Sequence, residues 1–271
     1  MRRARRLRSE FARRAEHELA RPRSDVVVTE CHLDALPAPV ARYVRSSGAV
    51  GLPTISNFRA SIHGRIRSGP NDRWMVFTGE QVNTCLGTAN RLFFIRASMR
   101  GLPVDVLHCF VDDAASMVVK PLSLFTIVDA RGPEMNRSET VTILNDICLM
   151  APTALIDPAF TWRSVDDRTT EVTFRRFDET VSAMLHFDDD DRLVDFVSDD
   201  RFRSSSNGAT FTQQRWSTPV ERYRSFGGRR VMTFGEARWH AAAPEGEFAY
   251  LEFELDQIEY DVDALGAASG V

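Results

Sequence analysis

Along most of this chain polar and apolar positions alternate with a period of two. "TISNFRASIHGRIR" sets Ile55, Asn57 and Arg59 against Ser56, Phe58, Ala60 and Ile62. In "FAYLEFELDQIEY", Leu251, Phe253 and Leu255 face one way and Glu252, Glu254 and Asp256 the other, as in an antiparallel sheet with one wet face. "RWMVFTGEQVNT", "RLFFIRASM", "LPVDVLHCFVDD", "SMVVKPLSLFTIVDARG", "TTEVTFRRF", "ETVSAMLHF" and "RRVMTFGEARWH" read the same way, parted by Gly, Pro and Asp–Asp turns. The pattern predicts a mainly β, α+β fold: a large curved antiparallel sheet, or half-barrel, of about eleven strands.

Three stretches change period. "RRARRLRSEFARRAEHELARP" places Leu7, Phe11, Ala15 and Leu19 four apart, a narrow helical stripe ended by Pro22. It is expected to be a solvated helix resting on the body. "LDALPAPVARYVRSSG" is a second helix, with prolines at its start and Gly48 as its stop. The third, roughly 134–156, contains "NDICLMAPTALIDP", uncharged from Ile147 to Ile156 in a chain that is 27% charged. Ser138 is the expected N-cap, Val141, Leu144 and Cys148 the inward stripe, and Pro152 the break. Apolar on several sides, this helix must be covered, and it is expected in the mouth of the sheet as plug or lid. The organisation is then a basic helix at 1–23, one β-rich domain at 24–261 carrying the helical insert, and a small-residue tail at 262–271.

Charge sharpens the picture at one place. Overall the net charge is −4, against a general nucleic-acid binder, yet residues 1–23 hold nine arginines and three glutamates, a net of +6. The stretch Arg2–Arg23 is therefore a candidate weak contact for an anionic membrane. The four cysteines lack CxxC spacing and read as small buried hydrophobes of a reducing compartment. No apolar h-region follows the arginines, so a cytoplasmic, membrane-peripheral at most, location is expected. Neither HxxxH nor HExxH occurs, and GxGxxG, GxxxxGK[ST] and GxSxG are missing, so no metal or cofactor is expected.

The order of "LPAPVARYVRSSG", "RWMVFTGEQ", "VDARGPEMNRSETVTIL", "APTALIDPAFTWRSVDDRTTEVTF", "HFDDDDRLVDF", "WSTPVERYRSFGGRRV", "GEARWH" and "FAYLEFELDQIEY" resembles an uncharacterised bacterial family of domains of unknown function, over about residues 35–261. The resemblance implies no activity. It does imply a half-barrel similar to the lipoprotein-carrier (LolA/LppX-like) fold, a curved sheet cradling an apolar cavity closed by helices.

An aromatic-rich curved sheet under an uncharged helix has the makeup of an apolar pocket. The expected function is non-catalytic binding of a hydrophobic or amphipathic, lipid-like molecule. Candidate lining residues are Trp74, Phe77, Glu80, Gln81, Phe94, Leu144, Cys148, Met150, Trp162, Glu236 and Trp239. One strand face, Thr233, Gly235, Ala237 and Trp239, is small until its end, which calls for a packed helix or a ligand. The alternatives are an enzyme using Glu80, Asp129 or Glu236 as acid or base, and a membrane-peripheral structural module recruited by the N-terminal helix.

Overall fold

The structure is a computed structural model and describes residues 7–99, 101–205 and 209–266. Helices α1 (Leu7–Leu19), α2 (Glu30–Leu33) and α3 (Ala38–Ser46) come first. Strands β1 (Asn57–Ile66), β2 (Met75–Thr84), β3 (Arg91–Met99), β4 (Leu102–Val111), β5 (Ala114–Pro121) and β6 (Val128–Arg131) follow. Helix α4 (Pro133–Met150) and a 3₁₀ turn (Pro152–Ile156) interrupt them. Then come β7 (Phe160–Ser164), β8 (Thr169–Arg176), β9 (Glu179–Phe187), β10 (Leu193–Ser198), β11 (Phe202–Ser204), β12 (Phe211–Gln213), β13 (Arg215–Ser217), β14 (Val220–Phe226), β15 (Arg229–His240) and β16 (Glu247–Tyr260).

Fourteen of the strands form one antiparallel sheet in the order β6-β5-β4-β3-β2-β1-β16-β15-β13-β10-β9-β8-β7, with β14 also paired to β15. It stays open: β6 and β7 are its two edges, and α4 is the segment that joins them. The expected half-barrel is therefore present, with more and shorter strands than the alternation pattern counted. "TFTQQRWSTPVERYRSFGG" holds three strands instead of one, because Pro219 and the polar run at Gln213–Gln214 stop the ladder.

Each face of the sheet has its own cover. On the convex side α1 lays Leu7, Phe11, Ala15 and Leu19 on Val82, Leu92, Phe94, Leu107 and Cys109, and none of the four helix residues is more than 2% exposed. The stripe read from the sequence is correct, but the helix is a packed layer and not a solvated appendage. Its arginines are used locally: Arg8 pairs with Glu80, Arg14 with Glu10, Arg21 with Glu18 and Arg23 with Asp263. Residues 1–6 of the expected basic helix and 267–271 of the tail lie outside the described residues; Val262 and Leu265 pack beside α1's cluster.

On the concave side lies α4, with every residue from Ser138 to Met150 buried. Its sequence, rich in Val, Thr and Ile, has modest helix propensity, so burial rather than local preference holds it helical. The helix starts five residues before the expected cap. Gly132, at φ 114, turns the chain out of β6, and Pro133 opens the first turn. Ser138 sits within the helix and ties it to β11 instead, accepting from the Phe202 N–H at 2.9 Å. The expected break falls in place: α4 ends at Met150, and Pro152 starts the 3₁₀ turn. Two carbonyls in this last turn accept tyrosine hydroxyls, Cys148 O from Tyr43 at 2.8 Å and Met150 O from Tyr260 at 2.9 Å.

At Gly235 the small face of β15 is filled from within the sheet. A Cβ on Gly235 would stand 2.6 Å from Cζ of Phe253, its cross-strand partner on β16, and 3.0 Å from Val220. The ring lies over the glycine and occupies the space.

Candidate functional site

The concave wall and α4 share one continuous core that includes Phe77, Phe93, Ile95, Leu144, Cys148, Met150, Trp216, Trp239 and Phe248. Within it sits a buried charge network. Arg91 donates from Nε to Asp146 Oδ2 at 2.7 Å and from Nη1 to Glu139 Oε2 at 3.1 Å. Gln81 and Asn83 donate to the same Asp146 oxygen at 2.7 and 3.1 Å. His108 Nδ1 stands 3.5 Å from Glu139 Oε1, the carboxylate's other oxygen. These contacts join β2, β3 and β4 to α4.

The two carboxylates are pushed in opposite directions. Burial alone would raise both. For Glu139 the Arg91 guanidinium, helped by His108 and Arg201, more than reverses this and holds the carboxyl at about 2. For Asp146 burial prevails over Arg91, and the charge on Glu139 adds to it, so its pKa is raised.

Beyond the network, toward the rim, is an aromatic wall. Trp216 donates from Nε1 to the Tyr250 hydroxyl at 3.2 Å, and Tyr250 stacks on Trp239 with centroids 5.6 Å apart. The Arg201 guanidinium lies over both indoles, its Cζ 4.1 Å from the Trp216 centroid and 5.5 Å from that of Trp239. Its Nε and Nη1 are buried, and neither meets an acceptor among the described residues. Gln214, whose backbone N–H bonds the Arg201 carbonyl at 3.0 Å, has a buried Oε1 in the same condition. The β11–β12 hairpin covers this end of the wall. It is held by Ser138 at α4 and by Arg203, which bonds Glu245 at 2.6 Å.

The candidates drawn from the sequence divide by face. Phe77, Gln81, Leu144, Cys148, Met150 and Trp239 meet in the concave interior. Trp162 packs partly buried at its margin, beside Phe160. Trp74 stands outside the strands, between the guanidiniums of Arg65 and Arg67 at 4.6 and 4.4 Å. Phe94 belongs to the opposite, convex cluster under α1, and Glu80 is there too, bonded to Arg59 at 2.8 Å and to Arg8. Glu236 lies on the face of β15 opposite Trp239, 3.4 Å from Arg238, and Asp129 pairs with Arg131 at 2.8 Å near the surface. None of the three carboxylates considered as acid or base reaches the interior.

Sequence reading missed Arg91, Asn83, Asp146 and Arg201, and did not join Glu139 or His108 to them. A signal was there: Arg91 opens the apolar run "RLFFI", and Asp146 stands immediately before the uncharged Ile147–Ile156. Charges embedded in apolar segments are paired when buried, and these two are paired with each other. Cys85, Cys109 and Cys148 are buried, as read from the sequence, whereas Cys31 is exposed on α2. Among the described residues no group of His, Cys, Asp and Glu is placed to hold a metal ion, and no helix is long and apolar enough to cross a membrane.

An open antiparallel half-barrel wrapped on a central buried helix, with a polar-tipped aromatic wall inside, defines the class of this protein. Residues 26–253 match the family of unknown function DUF6544, and the chain belongs to that family. No curated protein matches the sequence. Among solved structures it is similar to a DUF1329 family protein from Desulfovibrio piger, at 12% identity over 89% of this chain and 96% of the other, with a TM-score of 0.45. A putative outer membrane lipoprotein-sorting protein domain from Vibrio parahaemolyticus follows at 8% identity, covering 84% and 93%, with a TM-score of 0.44. A LolA superfamily protein from Nitrosomonas europaea has 12% identity, coverage of 80% and 91%, and a TM-score of 0.40. At this distance nothing those proteins bind is carried to this chain.

Proposed function

We propose that this protein binds a hydrophobic or amphipathic, lipid-like small molecule on the concave side of its half-barrel, against Trp216, Trp239, Phe248 and Tyr250. The observation that carries this reading is Arg201. A guanidinium stacked on two indoles, with two buried N–H groups that meet no acceptor among the described residues, is costly, on the order of 1–3 kcal/mol per unmet group. A carboxylate or phosphate head arriving at Arg201 meets that need, while its apolar part lies along the aromatic wall. Pockets for such ligands combine this kind of wall with a few converging polar groups. Glu139 is within electrostatic reach but is already committed to Arg91, so it leaves the Arg201 donors to an incoming anion.

Thermal unfolding against a panel of fatty acids, lysophospholipids and neutral fatty alcohols tests the reading. The anionic amphiphiles should raise the melting temperature more than the alcohols of equal chain length. Arg201→Gln should abolish that preference while leaving the ligand-free melting temperature within a few degrees. A melting temperature indifferent to the whole panel counts against the proposal.

A further inference from the structure

Ser217, His240 and Glu247 form a row across three neighbouring strands, on the side of the sheet away from the aromatic wall. Trp216 and Trp239 are partners in the β13–β15 ladder and belong to the concave core. Ser217 and His240, each one residue further along its strand, therefore project from the opposite face. His240 pairs in turn with Glu247, the first residue of β16. Ser217 Oγ stands 2.8 Å from Nε2 of His240, and Glu247 Oε2 stands 3.3 Å from Nδ1 of the same ring. His63, His108 and His186 each meet one such neighbour, at Nδ1. A hydroxyl on one ring nitrogen and a carboxylate on the other is the arrangement of an activated serine: the carboxylate keeps the proton on Nδ1, so a bare Nε2 faces the hydroxyl.

The surroundings suit the charges that such chemistry creates. Arg215, opposite His240 in the ladder, is closed on Asp199 by bonds at 2.8 and 2.9 Å and leaves Glu247 to the imidazole. Asp199 and Glu247 both place negative charge near the ring, which favours the imidazolium that forms when His240 takes a proton. Arg238 stands directly across the ladder from Ser217. Its Nε is buried and makes no hydrogen bond among the described residues, with Glu247 at 3.3 Å and Glu236 at 3.4 Å. The next backbone donor, the Thr218 N–H, is already given to Phe196 O at 2.9 Å. Arg238 is thus the cation placed to meet an oxyanion formed beside Ser217. Ser217 is 3% exposed and the imidazole side chain 29%, so a reagent reaches the hydroxyl past the ring, and only a small acyl group fits that approach.

We propose that Ser217 is a nucleophile toward small acyl esters, with His240 as its base and Glu247 as the residue that positions the ring. Ser217 Oγ attacks the ester carbonyl carbon, and its proton passes to His240 Nε2. The tetrahedral adduct collapses with cleavage of the acyl–oxygen bond, and the imidazolium gives the proton to the departing alkoxide. Water then adds to the acyl-serine, its proton going to His240; the carboxylic acid leaves and Ser217 Oγ takes that proton back. A single guanidinium shared with two carboxylates stabilises an oxyanion only modestly, so the substrates are esters with a good leaving group and not amides. The site lies on the other side of the sheet from Arg201 and does not rest on the ligand proposed there.

Peptide mass spectrometry of the full chain after treatment with methanesulfonyl fluoride tests this. Fluoride leaves, and a methylsulfonyl group should stand on Ser217 of the wild type but not on Ser217 of His240→Gln. Hydrolysis of p-nitrophenyl acetate should fall by about a hundredfold or more in Ser217→Ala and in His240→Gln. Glu247→Gln should lower kcat with KM unchanged, and Glu247→Asp should restore part of the loss, a rescue that a purely structural contact would not give. Wild-type Ser217 left unmodified by the reagent overturns the inference without recourse to any variant. Ester hydrolysis that survives Ser217→Ala does the same, and the three residues are then a polar ladder that ties the strands together. If Ser217 is modified while no anionic amphiphile stabilises the protein, the esterase site stands and the concave reading falls.

Discussion

Arg91 on β3 and Asp146 on α4 meet at 2.7 Å inside the half-barrel, and each is less than a tenth exposed. Their ion pair, extended to Glu139, pins the central helix to the sheet. A buried pair contributes little net stability when intact, but removing one partner strands the other charge. Arg91→Met should therefore cost about 3–5 kcal/mol in urea unfolding. Adding Asp146→Leu and Glu139→Leu should recover part of that loss, because the stranded charges are gone, although the buried Gln81 and Asn83 amides then lose their acceptor. If Arg91→Met unfolds at the wild-type midpoint, the network does not anchor α4.

Glu139 gives the fold an acid limit. Its folded pKa of about 2 lies below the ordinary 4.5, so the stability it contributes is complete above pH 4.5 and is lost as the pH falls toward 2. Unfolding midpoints followed through that window should drop steeply, and Glu139→Gln, already weaker at neutral pH, should show a shallower drop.

Asp195 on β10 acts with the opposite sign. Burial, aided by the charge on Glu247, outweighs backbone hydrogen bonds from Phe196 and Thr218 and raises its carboxyl from 3.8 to about 6; its Oδ1 is buried and meets no donor among the described residues. The folded state holds this proton more tightly than the unfolded chain, so stability is lost as the pH rises from about 4 to 6. Asp195→Asn should gain about 1 kcal/mol at neutral pH, allowing for solvent screening of a partly exposed group, and nothing below pH 4. A variant whose advantage persists at pH 3 contradicts the assignment.

Two packing predictions probe the two faces. Phe11→Ala empties the convex cluster between α1 and Phe94 and should cost about 3–5 kcal/mol, showing that α1 belongs to the fold. Gly235→Ala forces a methyl into the Phe253 ring and should cost about 1–3 kcal/mol, a loss that Phe253→Leu in the same chain should reduce. Calorimetric unfolding of the single and double variants measures both.

The sheet was legible because period-two alternation is a local signal, and Leu251–Asp256 of β16 show it between two register shifts. The central helix was legible for a related reason: an uncharged run broken by Pro152 has to be covered. Its start was not, since Gly132 and Pro133 carry the turn while Ser138 imitates a cap. The candidate site was only half readable. Phe77, Gln81, Leu144 and Trp239 alternate onto the concave face as expected, but Phe94 and Glu80 are one residue out of phase with Phe93 and Gln81 and so face α1. Which face a residue takes depends on what covers each side, and the burial of α1 settled that for the convex one. Arg201 was hidden altogether, since a charge after "SDD" in a connecting segment looks like solvated turn until Trp216 and Trp239 are brought beneath it.

The central claim is that Arg201 and the aromatic wall hold an anionic amphiphile. Native mass spectrometry of the purified full chain, followed by organic extraction of whatever is bound, measures this directly. The account predicts an adduct carrying a carboxylate or phosphate head on an apolar chain, present on wild type and largely lost from Arg201→Gln and Trp239→Ala proteins that remain folded. Wild-type protein at its bare mass, taking up no anionic amphiphile on incubation, or an adduct equally retained by Arg201→Gln, would contradict it.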